Sequence, residues 1–333
     1  MSTNYICYNN LLYNALSIQH KAKKFKTTVM KIIRDLENLA IKDKVTATIG
    51  GYDGIHLGHQ KIISKVVQKS KESKTKSALI TFKPLPKIYF AKKNFELLTI
   101  YKKMEILRDS AVDYMILLRF SNPLISMTSK DFIENILIKK INICSLSVGH
   151  DFKFGHNQTG NVDDLKSYAE KGFFSLHIEE KHTLDGERIS SSSIRDSILQ
   201  NNFNKASKML GRPYSVSGNI IHGDKRGSTI GFPTANIKLE PNVLLSGVYA
   251  VSTYINEKIY FGVANIGYRP TFDGEKYLFE AHIFDFFSNL YGKRMEFDII
   301  SKIRETRKFS GIEELKKYIN KDIKSAKEIF KLK

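Results

Sequence analysis

The chain has little cysteine, since Cys7 and Cys144 are the only two in 333 residues. Two cysteines are too few for a disulfide framework or a thiolate metal cluster, so neither is expected to carry chemistry. Long apolar runs are also missing, because no window approaches the ~18 uninterrupted apolar residues of a membrane span. The first thirty residues lack the compact apolar region and cleavage site of a signal peptide. We therefore expect a cytoplasmic protein without a membrane partner.

Arginine is scarce as well, although the chain is strongly basic. The formal net charge is +19, yet only 11 of the 53 basic residues are arginine, and the 42 lysines are spread along the sequence. Proteins that read nucleic-acid sequence favour clustered arginine with aromatic residues nearby. The charge thus indicates a solvated lysine-rich surface and no nucleic-acid partner. A lysine-rich nucleic-acid-binding protein, with salt-steep binding to any duplex, is kept as the alternative outside enzymes.

The apolar residues, 42% of the chain by composition, are arranged in two patterns. From about Val45 to Gln200, short apolar runs alternate with helical patterns, which is typical of a parallel sheet covered by helices. From about Tyr214, closely spaced strands with glycine, asparagine and proline turns indicate a small antiparallel β-barrel. The tail after Ser310 has the periodicity of an amphipathic helix. The predicted fold class is an α/β Rossmann-like domain followed by a small β-barrel with a terminal helix.

The expected elements are specific enough to test. The parallel strands are VTATIG, SALITF, YMILLRF, CSLSVG and FFSLHIEE. The barrel strands are YSVSGNII, GVYAVSTYI, KIYFGVANI, LFEAHIFDF and RMEFDII. Thr128 and Asp131 are spaced as a capping box, and the two domains are expected to meet between about Asn201 and Pro213.

The stretch IGGYDGIHLGHQKII combines glycine and histidine where a strand pattern changes into a helical one. At the carboxyl edge of a parallel sheet, Gly50, Gly51 and Gly54 would allow the backbone to approach a phosphate closely. His56 and His59, three residues apart at the start of the helix, would point toward its anion-binding end. Two imidazole donors there could stabilise charge on a phosphate under attack. A zinc-binding pair and two ordinary surface histidines are the weaker alternatives.

Two further stretches carry phosphate-binding patterns. ISSSSIR places Ser191, Ser192 and Arg195 at the start of a helical pattern, offering hydroxyls, helix N–H groups and one guanidinium to phosphates. Its alternative is a serine-rich loop with a helix cap. HGDKRGSTIGFPTAN is a basic loop punctuated by glycine and suited to wrapping ATP phosphates. The ATP contacts expected in that loop are Gly223, Lys225, Gly231 and Pro233.

A metal site and a base are expected in the second half of the chain. The hydroxyl of Thr234 and the amide carbonyl of Asn236 suit Mg²⁺, which takes few protein oxygens and several waters and phosphate oxygens. An ordinary β-turn is the alternative for these two residues. Glu280 lies among apolar residues in LFEAHIFDF, a costly place for a carboxylate unless it faces a site. A strand carboxylate at a barrel rim is its alternative.

The motifs resemble those of a known family. H-x-G-H followed by ISSSSIR is similar to the nucleotidylyltransferase superfamily, whose members join a nucleotide α-phosphate to an acceptor phosphate and release pyrophosphate. With TFKPLP, VGHDFKFGHNQTG and HGDKRGSTIGFPTANI, the chain resembles the bacterial bifunctional riboflavin kinase/FAD synthetase from about Met30 to Ile329. The resemblance implies that residues 30–201 adenylylate FMN to FAD and that residues 202–333 phosphorylate riboflavin to FMN. ATP, riboflavin and FMN are the implied small-molecule substrates, with Mg²⁺ as cofactor; no oligomeric state is predicted.

The resemblance also assigns residues to roles. His56 and His59 are the implied catalytic histidines, and Glu280 is the implied general base for the riboflavin 5′-hydroxyl. The implied ATP-phosphate contacts of the adenylyltransferase are Gly50, Gly51, Asp53, Gly54, Ser191, Ser192 and Arg195. Asp151 is assigned to the nucleotide or flavin, Thr234 and Asn236 to the metal, and Arg304 and Asp322 to the flavin.

The chain departs from the family pattern in a few places. Lys83 and Leu85 stand in TFKPLP where an acidic residue and a histidine are expected, which puts one contact of the adenylylation site in doubt. Residues 1–29 match nothing in the family; either translation starts at Met30 or the segment is a disordered extension. The first half alone would also suit a pantetheine-phosphate adenylyltransferase or a cytidylyltransferase. The barrel carrying GFPTAN and Glu280 speaks against both.

Overall fold

A computed structural model describes residues 30–34, 41–91, 96–223, 230–239, 245–271 and 274–332. These residues divide into two compact units, 30–193 and 194–332. The extension predicted for residues 1–29 and the expected ATP contact Lys225 lie outside the described residues. The predicted boundary between residues 201 and 202 stays a prediction.

The first unit is built on a six-stranded sheet whose strands all run parallel. The strands are β1 (Lys31–Ile33), β2 (Val45–Ile49), β3 (Lys76–Lys83), β4 (Tyr114–Arg119), β5 (Ile143–Gly149) and β6 (Ser175–Glu179). Their order across the sheet is β1-β4-β3-β2-β5-β6. The five predicted strands are confirmed, and β1 is an edge strand that the sequence pattern did not predict. The chain leaves β2 toward β3 and leaves β5 toward β6, so the crevice between the carboxyl ends of β2 and β5 is the switch point where such sheets bind ligands.

Helices cover both faces of this sheet. They are α1 (Leu57–Glu72), α2 (Pro86–Ala91), α3 (Ile100–Asp109), α4 (Asn122–Ile125), α5 (Ser129–Asp131), which continues as a π-helical segment (Phe132–Lys140), and α6 (Val162–Glu170). On α1, Ile63, Val66 and Val67 are buried. The Thr128 hydroxyl caps α5 by accepting a 3.0 Å bond from the backbone N–H of Asp131. A two-stranded hairpin, β7 (Thr183–Leu184) and β8 (Glu187–Arg188), leads to α7 (Ser191–Leu199).

The second unit is a closed antiparallel barrel, which confirms the predicted architecture. It contains α8 (Phe203–Leu210), β9 (Ser215–Ile221), β10 (Ala235–Lys238), β11 (Gly247–Ile255), β12 (Lys258–Thr271), β13 (Gly274–Ile283), β14 (Arg294–Arg304) and α9 (Ile312–Phe330). The strand order is β10-β13-β12-β11-β14-β9. Ala326 of α9 is buried against Ala250, Val263 and Phe284 of the barrel unit. Across the described residues, no helix has the length and apolar content needed to cross a membrane.

Candidate active sites

The turn between β2 and α1 lies at the switch point of the parallel sheet and has an unusual backbone. Gly54 has φ of +86°, a left-handed conformation that glycine adopts without steric cost. Tyr52 and Ile55 also lie in the left-handed region, with φ of +46° and +40°. Residues other than glycine are rare in this backbone region. Contacts from surrounding residues therefore have to hold the turn in place.

Two side chains hold the turn at the carbonyl oxygen of Gly51. The Thr81 hydroxyl donates a bond of 3.0 Å to this oxygen from the end of β3. The Lys103 ammonium donates a bond of 2.9 Å to the same oxygen from α3. Lys103 is only 3% exposed, so its charge lies inside the unit directly behind the turn.

Asp53 connects the turn to two further segments. Its buried carboxylate accepts a 2.8 Å bond from the backbone N–H of Leu97. Its carbonyl oxygen accepts a 2.8 Å bond from the Ser191 hydroxyl at the start of α7. The structure therefore brings the serine motif to the glycine turn, although 138 positions separate the two residues in sequence. It places the Asp53 carboxylate behind the turn, where it supports the loop.

The two histidines of the H-x-G-H motif stack on each other at the start of α1. Their ring centroids are 3.6 Å apart, with an interplanar angle of 15°. His56 is the N-cap residue, and its Nδ1 accepts a 3.3 Å bond from the backbone N–H of His59. A neutral imidazole that accepts at Nδ1 carries its hydrogen on Nε2. His56 can therefore donate one hydrogen bond from Nε2 to an anion.

His59 is held in the neutral form. Burial is the largest cause, followed by the charges of His56 and Lys103, and together they hold the pKa of His59 well below its usual range. Its Nδ1 is buried and has no hydrogen-bond partner among the described residues. Two stacked imidazoles cannot both carry a charge cheaply, so at most one ring of the pair is protonated at a time.

The serine motif forms the first turn of α7. Ser190, which the sequence analysis did not assign, accepts a 3.1 Å bond from the backbone N–H of Ser193 and so caps the helix. Ser192 is exposed, and Arg195 is buried on the same helix. Ser191 and Arg195 are four residues apart, which places them on one face of the helix. Phosphate binding by Ser191, Ser192 and Arg195 stays a prediction.

Asp151 lies just beyond the carboxyl end of β5, beside the same switch point. Its Oδ2 accepts a 2.7 Å bond from Nη2 of Arg188, and His150 lies 3.9 Å away. Burial acts to raise the pKa of Asp151, but Arg188 and His150 outweigh it and the pKa is lowered. The carboxylate is thus ionised and half of its side chain is exposed, which is compatible with the predicted ligand contact.

The two departures in TFKPLP have clear structural places. Lys83 forms an ion pair of 3.1 Å with Glu96, in the segment before α3. Leu85 is buried, and its nearest methyl group would lie 3.9 Å from a Cβ added at Gly51. The departure therefore puts a positive charge and an apolar side chain next to the glycine turn.

The second candidate site is a row of polar side chains across three barrel strands. Glu280 of β13 pairs in register with Asn236 of β10 on one side and with Asn265 of β12 on the other. Residues paired directly across strands have side chains on the same face of the sheet. The predicted metal ligand Asn236 and the predicted base Glu280 are therefore neighbours.

Glu280 is held through its Oε2 by two neighbouring side chains. Arg269 donates to its Oε2 from Nε at 2.9 Å and from Nη2 at 2.6 Å, and Asn265 donates to it at 3.3 Å. Within the described residues, Oε1 accepts no hydrogen bond. The carboxylate is thus oriented by Arg269.

Asn236 and Thr234 form a close pair of oxygen-bearing side chains. The Asn236 amide nitrogen lies 3.4 Å from the Thr234 hydroxyl, and Asn236 is only 4% exposed. A Cβ at Gly223 would fall 2.5 Å from the Asn236 amide nitrogen, so only glycine allows the loop to approach so closely. No cluster of three histidine, cysteine or carboxylate ligands occurs among the described residues. A hydroxyl oxygen and an amide oxygen are ligands that suit Mg²⁺, which keeps water and phosphate oxygens as its other ligands.

His282 of β13 holds the loop before β10. Nδ1 of His282 donates a 2.9 Å bond to the carbonyl oxygen of Pro233. Gly231, two residues earlier, has φ of +92°. The hydrogen bond and the turn at Gly231 together position the backbone just before Thr234 and Asn236.

Arg304 and Asp322 form a bidentate ion pair between β14 and α9. Nε and Nη2 of Arg304 donate to Oδ1 and Oδ2 of Asp322, each at 2.8 Å. Asp322 is 5% exposed. The pair joins the terminal helix to the barrel, and a flavin contact for either residue stays a prediction.

Breaking this ion pair should destabilise the protein. Replacing Asp322 by alanine would leave the Arg304 guanidinium without its buried partner, and we expect the free energy of unfolding to fall by about 3–5 kcal/mol. Urea unfolding followed by circular dichroism measures the change. Glu313→Ala on the same helix is the control, because the Glu313 side chain is 88% exposed in its pair with Lys316. Equal stability of the two variants would contradict a structural role for the pair.

Comparisons with known proteins match the two halves of the chain to two different family models. Residues 39–193 match a family model described as FAD synthetase, and residues 210–330 match one described as riboflavin kinase. Proteins named bifunctional riboflavin kinase/FMN adenylyltransferase are similar over nearly the whole chain. The one from Haemophilus influenzae is 38% identical, covering 90% of this chain and 99% of its own. The one from Buchnera aphidicola of Schizaphis graminum is 39% identical, covering 91% and 100%.

A solved structure is also similar over the same extent. It is a crystal structure described as a macrolide-efflux protein from Streptococcus pneumoniae, with a TM-score of 0.75 and 29% identity. The match covers 90% of this chain and 99% of that one.

Proposed function

The chain belongs to the family of bifunctional riboflavin kinase/FMN adenylyltransferases, and from this premise we propose how its residues divide the chemistry between two sites. The protein phosphorylates riboflavin to FMN and adenylylates FMN to FAD, with ATP as the donor in both reactions. The pairing of Asn236 with Glu280 and of Glu280 with Asn265 is the observation that carries the proposal for the kinase site.

In the kinase site, Glu280 is the proposed general base. Its Oε1 would accept the proton of the riboflavin 5′-hydroxyl while Arg269 and Asn265 hold Oε2. The hydroxyl oxygen then attacks the γ-phosphorus of ATP, and the bond from that phosphorus to the β,γ-bridging oxygen breaks. Thr234 and Asn236 would hold Mg²⁺ beside this carboxylate. When bound, the ion would neutralise charge on the transferring phosphates.

In the adenylyltransferase site, the glycine turn and the start of α1 are the proposed place of the ATP phosphates. An oxygen of the FMN phosphate attacks the α-phosphorus of ATP, and pyrophosphate leaves. The neutral imidazoles of His56 and His59 would donate hydrogen bonds to the oxygens on which charge develops. Ser191, Ser192 and Arg195 would contact the departing phosphates. Asp151 is the proposed contact for the nucleotide or the flavin.

The remaining roles follow from the same division. Gly223, Gly231 and Pro233 would shape the ATP loop of the kinase. Small molecules are the proposed partners, without nucleic acid or a membrane, and the proposed location is the cytoplasm.

An assay with riboflavin, ATP and Mg²⁺, with the products separated by chromatography, tests the whole proposal. Absence of both FMN and FAD would contradict it.

The two activities should be separable by truncation. A fragment from Asn202 to Lys333 keeps the α8 cap, in which the Asn202 side chain accepts a 3.0 Å bond from the backbone N–H of Lys205. It also keeps the contact between the rings of Phe203 and Tyr249, whose centroids are 5.8 Å apart. We therefore expect it to fold and to form FMN but no FAD, as measured by chromatography of the products.

A longer fragment that starts at Ile194 is the matched control, since the second compact unit begins there. Activity in the longer fragment alone would move the domain boundary toward residue 194. A folded but inert fragment, together with riboflavin phosphorylation by residues 30–201, would show that the two activities are assigned to the wrong domains.

A further inference from the structure

A buried lysine stands behind the glycine turn without a role in the chemistry described above. The Lys103 side chain extends from α3 to the Gly51 carbonyl oxygen at 2.9 Å and is almost completely buried. A buried ammonium is costly, because it loses its hydration and keeps its charge only through nearby partners. A purely apolar helix face would need no lysine at this position, so the charge itself calls for an explanation.

Charged and titratable groups face Lys103 from each segment around the turn. Asp53 in the turn and Glu96 before α3 are the opposite charges. Lys83 at the end of β3 is a like charge and is itself paired with Glu96 at 3.1 Å. His59 on α1 is the titratable group whose protonation the Lys103 charge opposes. The charge of Lys103 therefore interacts with Asp53 in the turn, with Lys83, and with His59 of the histidine pair.

From this geometry we propose that Lys103 is a positioning residue for adenylyl transfer, whose ammonium fixes the Gly51 carbonyl and so holds the glycine turn in its catalytic conformation. The left-handed backbone at Tyr52, Gly54 and Ile55 gives this contact its importance, since such a turn keeps its shape only under external constraint. The inference rests on the proposed place of ATP at this turn.

The charge on Lys103 is sensitive to mildly alkaline conditions. Burial is the largest cause, and against the opposing effect of Asp53 and Glu96 it lowers the pKa of Lys103 to about 8. Below this pH the side chain is an ammonium, and above it the side chain becomes a neutral amine. The kcat/KM for ATP reports groups of the free enzyme, so in FAD formation from FMN it should fall as pH rises through about 8.

Three variants test the proposal in the full-length protein. Lys103→Met keeps the shape of the side chain without its charge, and we expect the kcat of FAD formation from FMN to fall about 10²-fold, more than the KM for ATP changes. The fall in kcat/KM near pH 8 should disappear in this variant. Lys83→Met removes the like charge, so the fall should move to higher pH. Lys102→Met, on the same helix but paired with Glu105 at 3.5 Å, should behave as wild type.

The outcomes separate this inference from the function on which it rests. Wild-type protein that forms no FAD from FMN would contradict the adenylyltransferase function. Wild-type protein that forms FAD, with Lys103→Met retaining full kcat or the same fall near pH 8, would overturn the role of Lys103 alone. If Lys103→Met does not fold, the pH profile of Lys83→Met tests the proposal instead. The Lys83 side chain is 47% exposed, so this change leaves the core intact. An unchanged pH profile in a folded Lys83→Met protein would then overturn the proposal.

Discussion

Glu280→Gln should lower the rate of riboflavin phosphorylation by about 10²–10⁴-fold, because the glutamine amide cannot take the proton of the 5′-hydroxyl. Glutamine keeps the size of the side chain and an oxygen for the contacts with Arg269 and Asn265. FAD formation from supplied FMN should be unchanged, since it uses the other site. FMN formation is measured with riboflavin and FAD formation in a separate sample with FMN, and chromatography separates the products.

Glu257→Gln is the matched control for this variant. Glu257 is an exposed carboxylate at the turn between β11 and β12 of the same barrel, so its loss should leave both rates unchanged. A folded Glu280→Gln protein with the control's rate of FMN formation would remove Glu280 from the role of general base.

His59→Ala should give the opposite result. Loss of one preorganised donor to the developing charge at the α-phosphate is expected to lower FAD formation by about 10²–10³-fold. FMN formation should continue, so FMN should accumulate when riboflavin is supplied. The variant also removes the ring that stacks on His56 at 3.6 Å, which adds to the loss of rate if His56 then shifts.

His177→Ala is the control for the histidine change. His177 lies on β6 of the same unit, outside all of the motifs. FAD formation in His177→Ala should equal that of wild type. If His59→Ala stopped FMN formation in a folded protein, the division of the chemistry between the two sites would be wrong.

The sequence pattern predicted most of the strands, and the strands it missed are short. The strands VTATIG and SALITF form β2 and β3 as expected, because each is a short β-rich apolar run next to a helical pattern. β1 has only three residues and β10 only four, and both join their sheets by pairing with distant strands. So few residues carry no detectable periodicity, and only the register of the folded sheet identifies them as strands.

In the candidate sites too, the sequence predicted only residues that belong to a local motif. His56, His59 and Glu280 stand in local motifs, so their residue types and spacing were enough to predict them. Lys103 and Arg269 contact the sites only through the fold, from α3 and from a neighbouring barrel strand. In sequence they are one lysine and one arginine among 53 basic residues, and no local pattern distinguishes them.

The most direct test of the two-site account mixes the two singly inactivated proteins. Glu280→Gln alone should form little FMN from riboflavin, and His59→Ala alone should stop at FMN. An equimolar mixture with riboflavin, ATP and Mg²⁺ should form FAD, because FMN made by the intact barrel of one protein reaches the intact histidine site of the other. The mixture should form FAD far faster than either protein alone. A mixture that forms no FAD, although each folded variant retains its own remaining activity on supplied riboflavin or FMN, would contradict the two-site account.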